Sequence, residues 1–171
     1  YFFNEYWYIK RFEKGKDYPI YSRKYKSLNN DEEILLDVNK LASKHAYYSV
    51  GSISVSPNNR ILAYSFDTLS RRLYSIKFLD LKTKKQFNET IKNTTGSITW
   101  ANDNKTIFYS KEEDKTLRVN KIYRHQLNSD IKNDILVFEE KDDQFSTGVY
   151  KTKSQEFLRS EERRVGKECE R

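Results

Sequence analysis

One segment of this chain recurs at a fixed offset, and no other feature constrains the fold as tightly. Ser52 to Ser65 aligns without a gap on Ser97 to Ser110, 45 residues further on, and Ser52, Ile53, Asn59, Tyr64 and Ser65 recur identically. Self-similarity at this period marks an architecture in which one supersecondary unit stacks on copies of itself.

The chemistry of each copy is that of a β-hairpin. Ile53 and Val55, like Ile98 and Trp100, alternate with polar residues and so share one face of a strand. Ser56-Pro57-Asn58-Asn59-Arg60 makes the turn, because Pro57 presets φ and asparagine tolerates the left-handed conformation. Ala101 to Lys105 does the same without proline. The strands that follow, Ile61 to Phe66 and Thr106 to Ser110, are richer in apolar residues and are predicted inside a sheet. A third strand is predicted at Leu73 to Leu81 and at Lys121 to Leu127. The second of these is set back by a longer Lys111-to-Asn120 loop. A fourth is predicted at Gln86 to Ile91 and at Ile135 to Phe138. Four antiparallel strands in about 45 residues is the size of one β-propeller blade.

The pattern extends outward. Tyr6 to Arg11, Pro19 to Arg23 and Glu33 to Leu36 are expected as the last three strands of a preceding blade, with Gly15 supplying a positive φ in the first loop. Asp37 is expected to cap one helical turn whose Val38, Leu41 and Ala42 share a face. Gly148 to Leu158 starts another blade. The fold class is therefore all-β, a partial propeller of four-stranded antiparallel blades, two complete and two in part. A closed propeller needs about 4–8 blades, so these cannot close a ring by themselves.

An ordered set of segments then resembles a known family. Gly15 to Tyr21, Ile34 to Asn39, Val55 to Arg60, Ala63 to Thr68 with Arg71-Arg72, and Trp100 to Thr106 are similar to successive propeller segments of the oligopeptidase B (protease II) branch of the prolyl oligopeptidase family. Tyr123-Arg124-His125, Val137 to Glu140 and Tyr150 to Ser154 continue the series over residues 1–158. The resemblance implies a seven-bladed parent propeller that caps a C-terminal α/β-hydrolase domain. That domain would carry a Ser–Asp–His triad and cleave short peptides after Lys or Arg, the propeller admitting only small peptides. None of the triad falls in the matched region, and no G-x-S-x-G nucleophile elbow occurs.

Residues 159–171 break from the β pattern. Arg159 through Cys169 resembles the translation of a common DNA-sequencing adapter, so the expected organisation is a propeller segment at 1–158 followed by a non-native tail at 159–171. The chain holds no methionine and starts at Tyr1, from which a truncated start is expected. Its single cysteine, Cys169, cannot form an internal disulfide, and the lack of any other is consistent with a reducing, cytoplasmic setting.

The remaining features support no site of their own. Thirteen Tyr, ten Phe and two Trp argue against disorder. The net charge of +7 is spread among acidic residues along the chain, which describes a solvated surface better than a nucleic-acid footprint. His45 and His125 lack the partners a triad or metal site would need. Asn102-Asp103-Asn104 and Asn29 to Glu33 lack the calcium-loop spacing and are assigned to turns. Tyr6-Trp7-Tyr8 with Lys10 and Arg11 could stack bases, but an aromatic strand accounts for it better. Ser52, Ser65, Ser97 and Ser110 sit at repeat-equivalent positions, which points to structure rather than nucleophilic chemistry. No catalytic, cofactor or metal residue is expected, and neither nucleic acid nor membrane as a partner. The leading expectation is the substrate-gating propeller of a serine-type oligopeptidase. Its partners would be the parent's hydrolase domain and short basic peptides, and the isolated chain would be inactive. The alternative is a stand-alone propeller scaffold for protein partners.

Overall fold

A computed structural model describes residues 1–113 and 116–164. The first sheet is built from β1 (Phe2–Phe3), β2 (Tyr6–Arg11), β3 (Ile20–Tyr25) and β4 (Glu32–Asp37), paired in that order. A short helix α1 (Val38–Ala42) leads to the second sheet, β5 (Ser49–Val55), β6 (Ile61–Asp67), β7 (Tyr74–Asp80) and β8 (Gln86–Thr94). The third follows as β9 (Thr99–Trp100), β10 (Thr106–Glu112), β11 (Val119–Gln126) and β12 (Ile135–Glu139). Two strands, β13 (Phe145–Lys151) and β14 (Leu158–Arg164), make the last. Every pairing is antiparallel between consecutive strands, the meander expected of propeller blades.

The strands expected from the repeat are present. One more was not anticipated: Phe2–Phe3 pairs with Tyr6 and Trp7 as a short inner strand, so the first sheet has four strands. Alternation cannot be read from two residues, and pairing alone reveals it. Strands β10 and β11 also run into the predicted Lys111-to-Asn120 loop from both sides.

Local chemistry sets the turns. Asn59 and Asn104 hold the left-handed conformation at φ 62° and 60°, and Gly15 holds it at 78°. Asp37 caps α1, accepting from the backbone N–H of Asn39 and Lys40. Val38 and Ala42 are buried, and Leu41 packs alongside them.

The core lies between sheets rather than within one. Leu35, Leu36, Val38 and Ala42 meet Tyr48, Leu62, Tyr64 and Leu81 at the seam between the first and second blades. Ala63, Ile76, Phe78 and Ile91 meet Ile98, Trp100, Ile107, Tyr109 and Leu127 at the seam between the second and third. A blade in the middle of the row is therefore covered on both faces, which is why β6 is buried at five of its seven positions. β14 stands at the same place in its hairpin as β6, but in the last sheet of the row, which has a neighbour on one face only, and none of its positions is buried. Its residues Arg159 to Arg164 belong to the segment expected to be foreign, and Cys169 lies outside the described residues.

Candidate functional site at the blade seams

Turns at the inner ends of the blades are stitched together by amides. Asn4 Nδ2 donates to the Pro57 carbonyl at 2.7 Å, the Asn58 backbone N–H donates to Asn104 Oδ1 at 2.7 Å, and Asn102 Nδ2 donates to the Gln155 carbonyl at 3.0 Å. A cavity of about 420 Å³ opens where the inner strands converge, lined by Phe3, Val55, Trp100 and Tyr150 with Asn102 and Lys151 at its polar edge. Its lining is mainly apolar and amide-bearing.

The seam between the first two blades carries a charged cluster. Arg23, 3% exposed, donates from Nε to Glu33 at 2.7 Å and from a terminal nitrogen to the Asn59 carbonyl at 3.0 Å. Its other terminal nitrogen has no hydrogen-bond partner, but the guanidinium lies 4.1 Å over the Tyr6 ring, which attracts the cation. Lys84 of the second blade reaches Glu33 at 2.9 Å. Burial raises the Glu33 pKa, but the hydrogen bonds from Arg23 and Lys84 outweigh it, and the carboxyl is held below its ordinary range. The aromatics Tyr6, Trp7 and Tyr8 are thus strand residues packed into a blade and its seam.

Each residue considered for chemistry has a structural place. His45 is exposed in the loop after α1, its ring 5.5 Å from that of Tyr48. His125 is fully buried, with Nδ1 2.6 Å from Asp134 Oδ1. A His–Asp pair of this kind orients the base of a hydrolytic triad, but the opposite nitrogen here faces Glu89 Oε2 at 3.5 Å and not a hydroxyl. Ser65 Oγ accepts from the Ser52 backbone N–H at 2.8 Å and donates to the Gly96 carbonyl at 2.7 Å, so it holds the β5 bulge in place. Ser97 bonds Thr95, and Ser110 is buried with its carbonyl taking the Thr95 N–H. Asp103 accepts from the backbone N–H of Lys105 and Thr106, which is turn chemistry. Asn29 and Asn30 likewise close the β3–β4 loop, whereas Glu32 and Glu33 at its end pair with Arg11 and Arg23. Among the described residues no group of three or more His, Cys, Asp or Glu side chains is placed to hold a metal ion, and no helix is long and apolar enough to cross a membrane.

Sequence reasoning missed the acidic partners Glu89 and Asp134, and it missed the glycine pair. Gly51 and Gly96 both lie against the Tyr74 ring, and an added Cβ at either would come within 2.7–2.8 Å of it. A signal was available, since Gly51-Ser52 and Gly96-Ser97 extend the repeat by one residue at the same offset.

Meandering four-stranded sheets with seams between them define an open run of β-propeller blades. The family model described as "Prolyl oligopeptidase, N-terminal beta-propeller domain" matches residues 2–162. The chain belongs to the prolyl oligopeptidase family, as a segment of that propeller. It is 35% identical over 167 residues to dipeptidyl aminopeptidase BI of Pseudoxanthomonas mexicana, covering 89% of this chain and 23% of that protein. It is also 35% identical over 161 residues to protease 2 of Moraxella lacunata, covering 90% and 23%. Oligopeptidase B from Leishmania major superposes with a TM-score of 0.90 at 30% identity, over 95% of this chain and 23% of that one. The chain thus spans under a quarter of the length of these relatives.

Proposed function

We propose that this chain is part of the gate of a serine-type oligopeptidase that cleaves short peptides after Lys or Arg. The observation that carries this is the superposition on oligopeptidase B across 95% of the chain. The convergent inner strands support a steric role, since the cavity of about 420 Å³ between them is lined mainly by apolar and amide-bearing side chains. In the intact protein the propeller would cover a C-terminal α/β-hydrolase domain and exclude folded proteins from it. The test is to express the gene with its downstream reading frame and assay short Arg- and Lys-containing peptides beside a folded protein substrate. Turnover of the peptides alone is expected. A downstream frame without a hydrolase domain, or cleavage of the folded substrate at equal rate, overturns the proposal.

We infer that residues 159–171 are not native to this gate, on the evidence of their described part, Arg159 to Arg164. The second strand of the blade is buried at five of seven positions in β6 and at three of seven in β10, whereas Arg159, Glu161, Glu162, Arg163 and Arg164 put charge on β14. The family match reaches residue 162, but that β14 strand buries no side chain. Sequencing the genomic DNA across codon 159 decides it: a blade-like apolar strand in place of Arg159 to Arg164 is expected, and an unchanged read refutes the inference.

A further inference from the structure

His125 bridges the second and third blades. Its Nδ1 faces Asp134 Oδ1 of its own blade at 2.6 Å, and its Nε2 faces Glu89 Oε2 on β8 of the other at 3.5 Å. Phe78 of β7 stacks on the imidazole, with centroids 6.0 Å apart and planes 18° apart, so the ring orientation is held. Glu89 Oε2 also accepts the Asn128 backbone N–H at 2.9 Å, gripping the turn after β11. Asp134 Oδ2 accepts the Tyr109 hydroxyl from β10 at 2.7 Å. The titratable groups around His125 are therefore Glu89 from β8 and Asp134 from the turn just before β12, with Tyr109 behind Asp134. Among the described residues no Lys or Arg pairs with either carboxylate.

A neutral imidazole has one N–H and one lone pair. With the proton on Nδ1, the lone pair of Nε2 points toward Glu89; with it on Nε2, the lone pair meets Asp134 at 2.6 Å. Only the imidazolium offers an N–H to both sides. We propose that protonation of His125 latches the second blade to the third, and that loss of the proton loosens this seam. The Glu89 arm crosses the seam and is the weaker one, because Nε2 lies in charge contact without a formed hydrogen bond.

Burial disfavours the charged ring, but Glu89 and Asp134 together outweigh it, and the His125 pKa is raised above its ordinary value. The sign follows. A histidine whose pKa is higher folded than unfolded adds stability that is complete below about 6.5 and is lost as pH rises through the folded value. The latch is closed in acid and opens toward alkaline pH.

The test uses the full chain and follows deuterium exchange by mass spectrometry over a pH series, at low protein concentration. Exchange of the imidazole Cε1 proton should place the His125 inflection above 6.5, and Glu89→Gln should lower it. In the same window, amide exchange in a peptide spanning Gln126 to Ser129 should accelerate severalfold beyond its intrinsic rate. Glu89→Gln should abolish that step. A wild-type inflection at or below 6.5 overturns the latch, and so does an amide step that survives in the variant. The wild-type titration alone suffices if the variant does not fold.

Discussion

The indole N–H of Trp100 donates to the backbone carbonyl of Ser54 at 3.1 Å, joining the inner strand of the third blade to that of the second. Trp100 is 3% exposed and its ring packs edge-on against Phe78. Trp100→Phe keeps the aromatic contact, removes the donor and leaves the Ser54 carbonyl unpaired, which should cost about 1–2 kcal/mol. Trp100→Ala should cost about 3–5 kcal/mol, because a cavity opens in the seam. Urea unfolding checks both. A Trp100→Phe midpoint equal to the wild type would show that the bond contributes nothing net.

Two glycines separate backbone strain from close packing. Gly15 and Gly96 both have positive φ, at 78° and 87°, but a Cβ at Gly15 meets nothing within 4 Å, while one at Gly96 comes 2.8 Å from the Tyr74 ring. Gly15→Ala should cost about 1–2 kcal/mol, the left-handed penalty for an L residue. Gly96→Ala should cost about 1–3 kcal/mol more, because Tyr74 must move within a packed seam. Equal thermal shifts for the two variants would refute the wedge.

Acid should weaken the first seam. The Glu33 pKa is depressed in the folded chain, so its contribution is present above its ordinary value of 4.5 and is lost as pH falls through the folded value. Glu33→Gln should flatten the acid limb of a stability–pH curve and cost about 1–3 kcal/mol at neutral pH, the side chain being one-third exposed. An acid limb identical in variant and wild type would remove Glu33 from the account.

The outer strand of the third blade is apolar and uncovered, with Ile135, Leu136 and Val137 at 50%, 44% and 52% exposure. Such a strand offers both an apolar face and unpaired backbone groups to a second chain. Analytical ultracentrifugation should show concentration-dependent association, reduced in Val137→Lys. A monodisperse monomer with a sharp, cooperative thermal transition would contradict this expectation.

Much of the fold was legible in the sequence because its signals are local. A period of two, Pro57 and Asn59 in one turn with Asn104 in the next, Gly15 in a loop and Asp37 before Val38 each act within a few residues of the chain. The repeat then converts hairpins into blades, and the blades into an all-β propeller segment. The seams were not legible. Glu89 and His125 are 36 residues apart, and so are Arg23 and Asn59, whose carbonyl takes a guanidinium hydrogen bond. No periodicity within a blade specifies which charged residue of the next will face it. A blade buries its two faces against its neighbours, so the core and its buried charges exist only once separate units are stacked. The amino-acid sequence alone determined the unit and its repetition; the tertiary structure decided what lies between units, including a histidine held between two carboxylates.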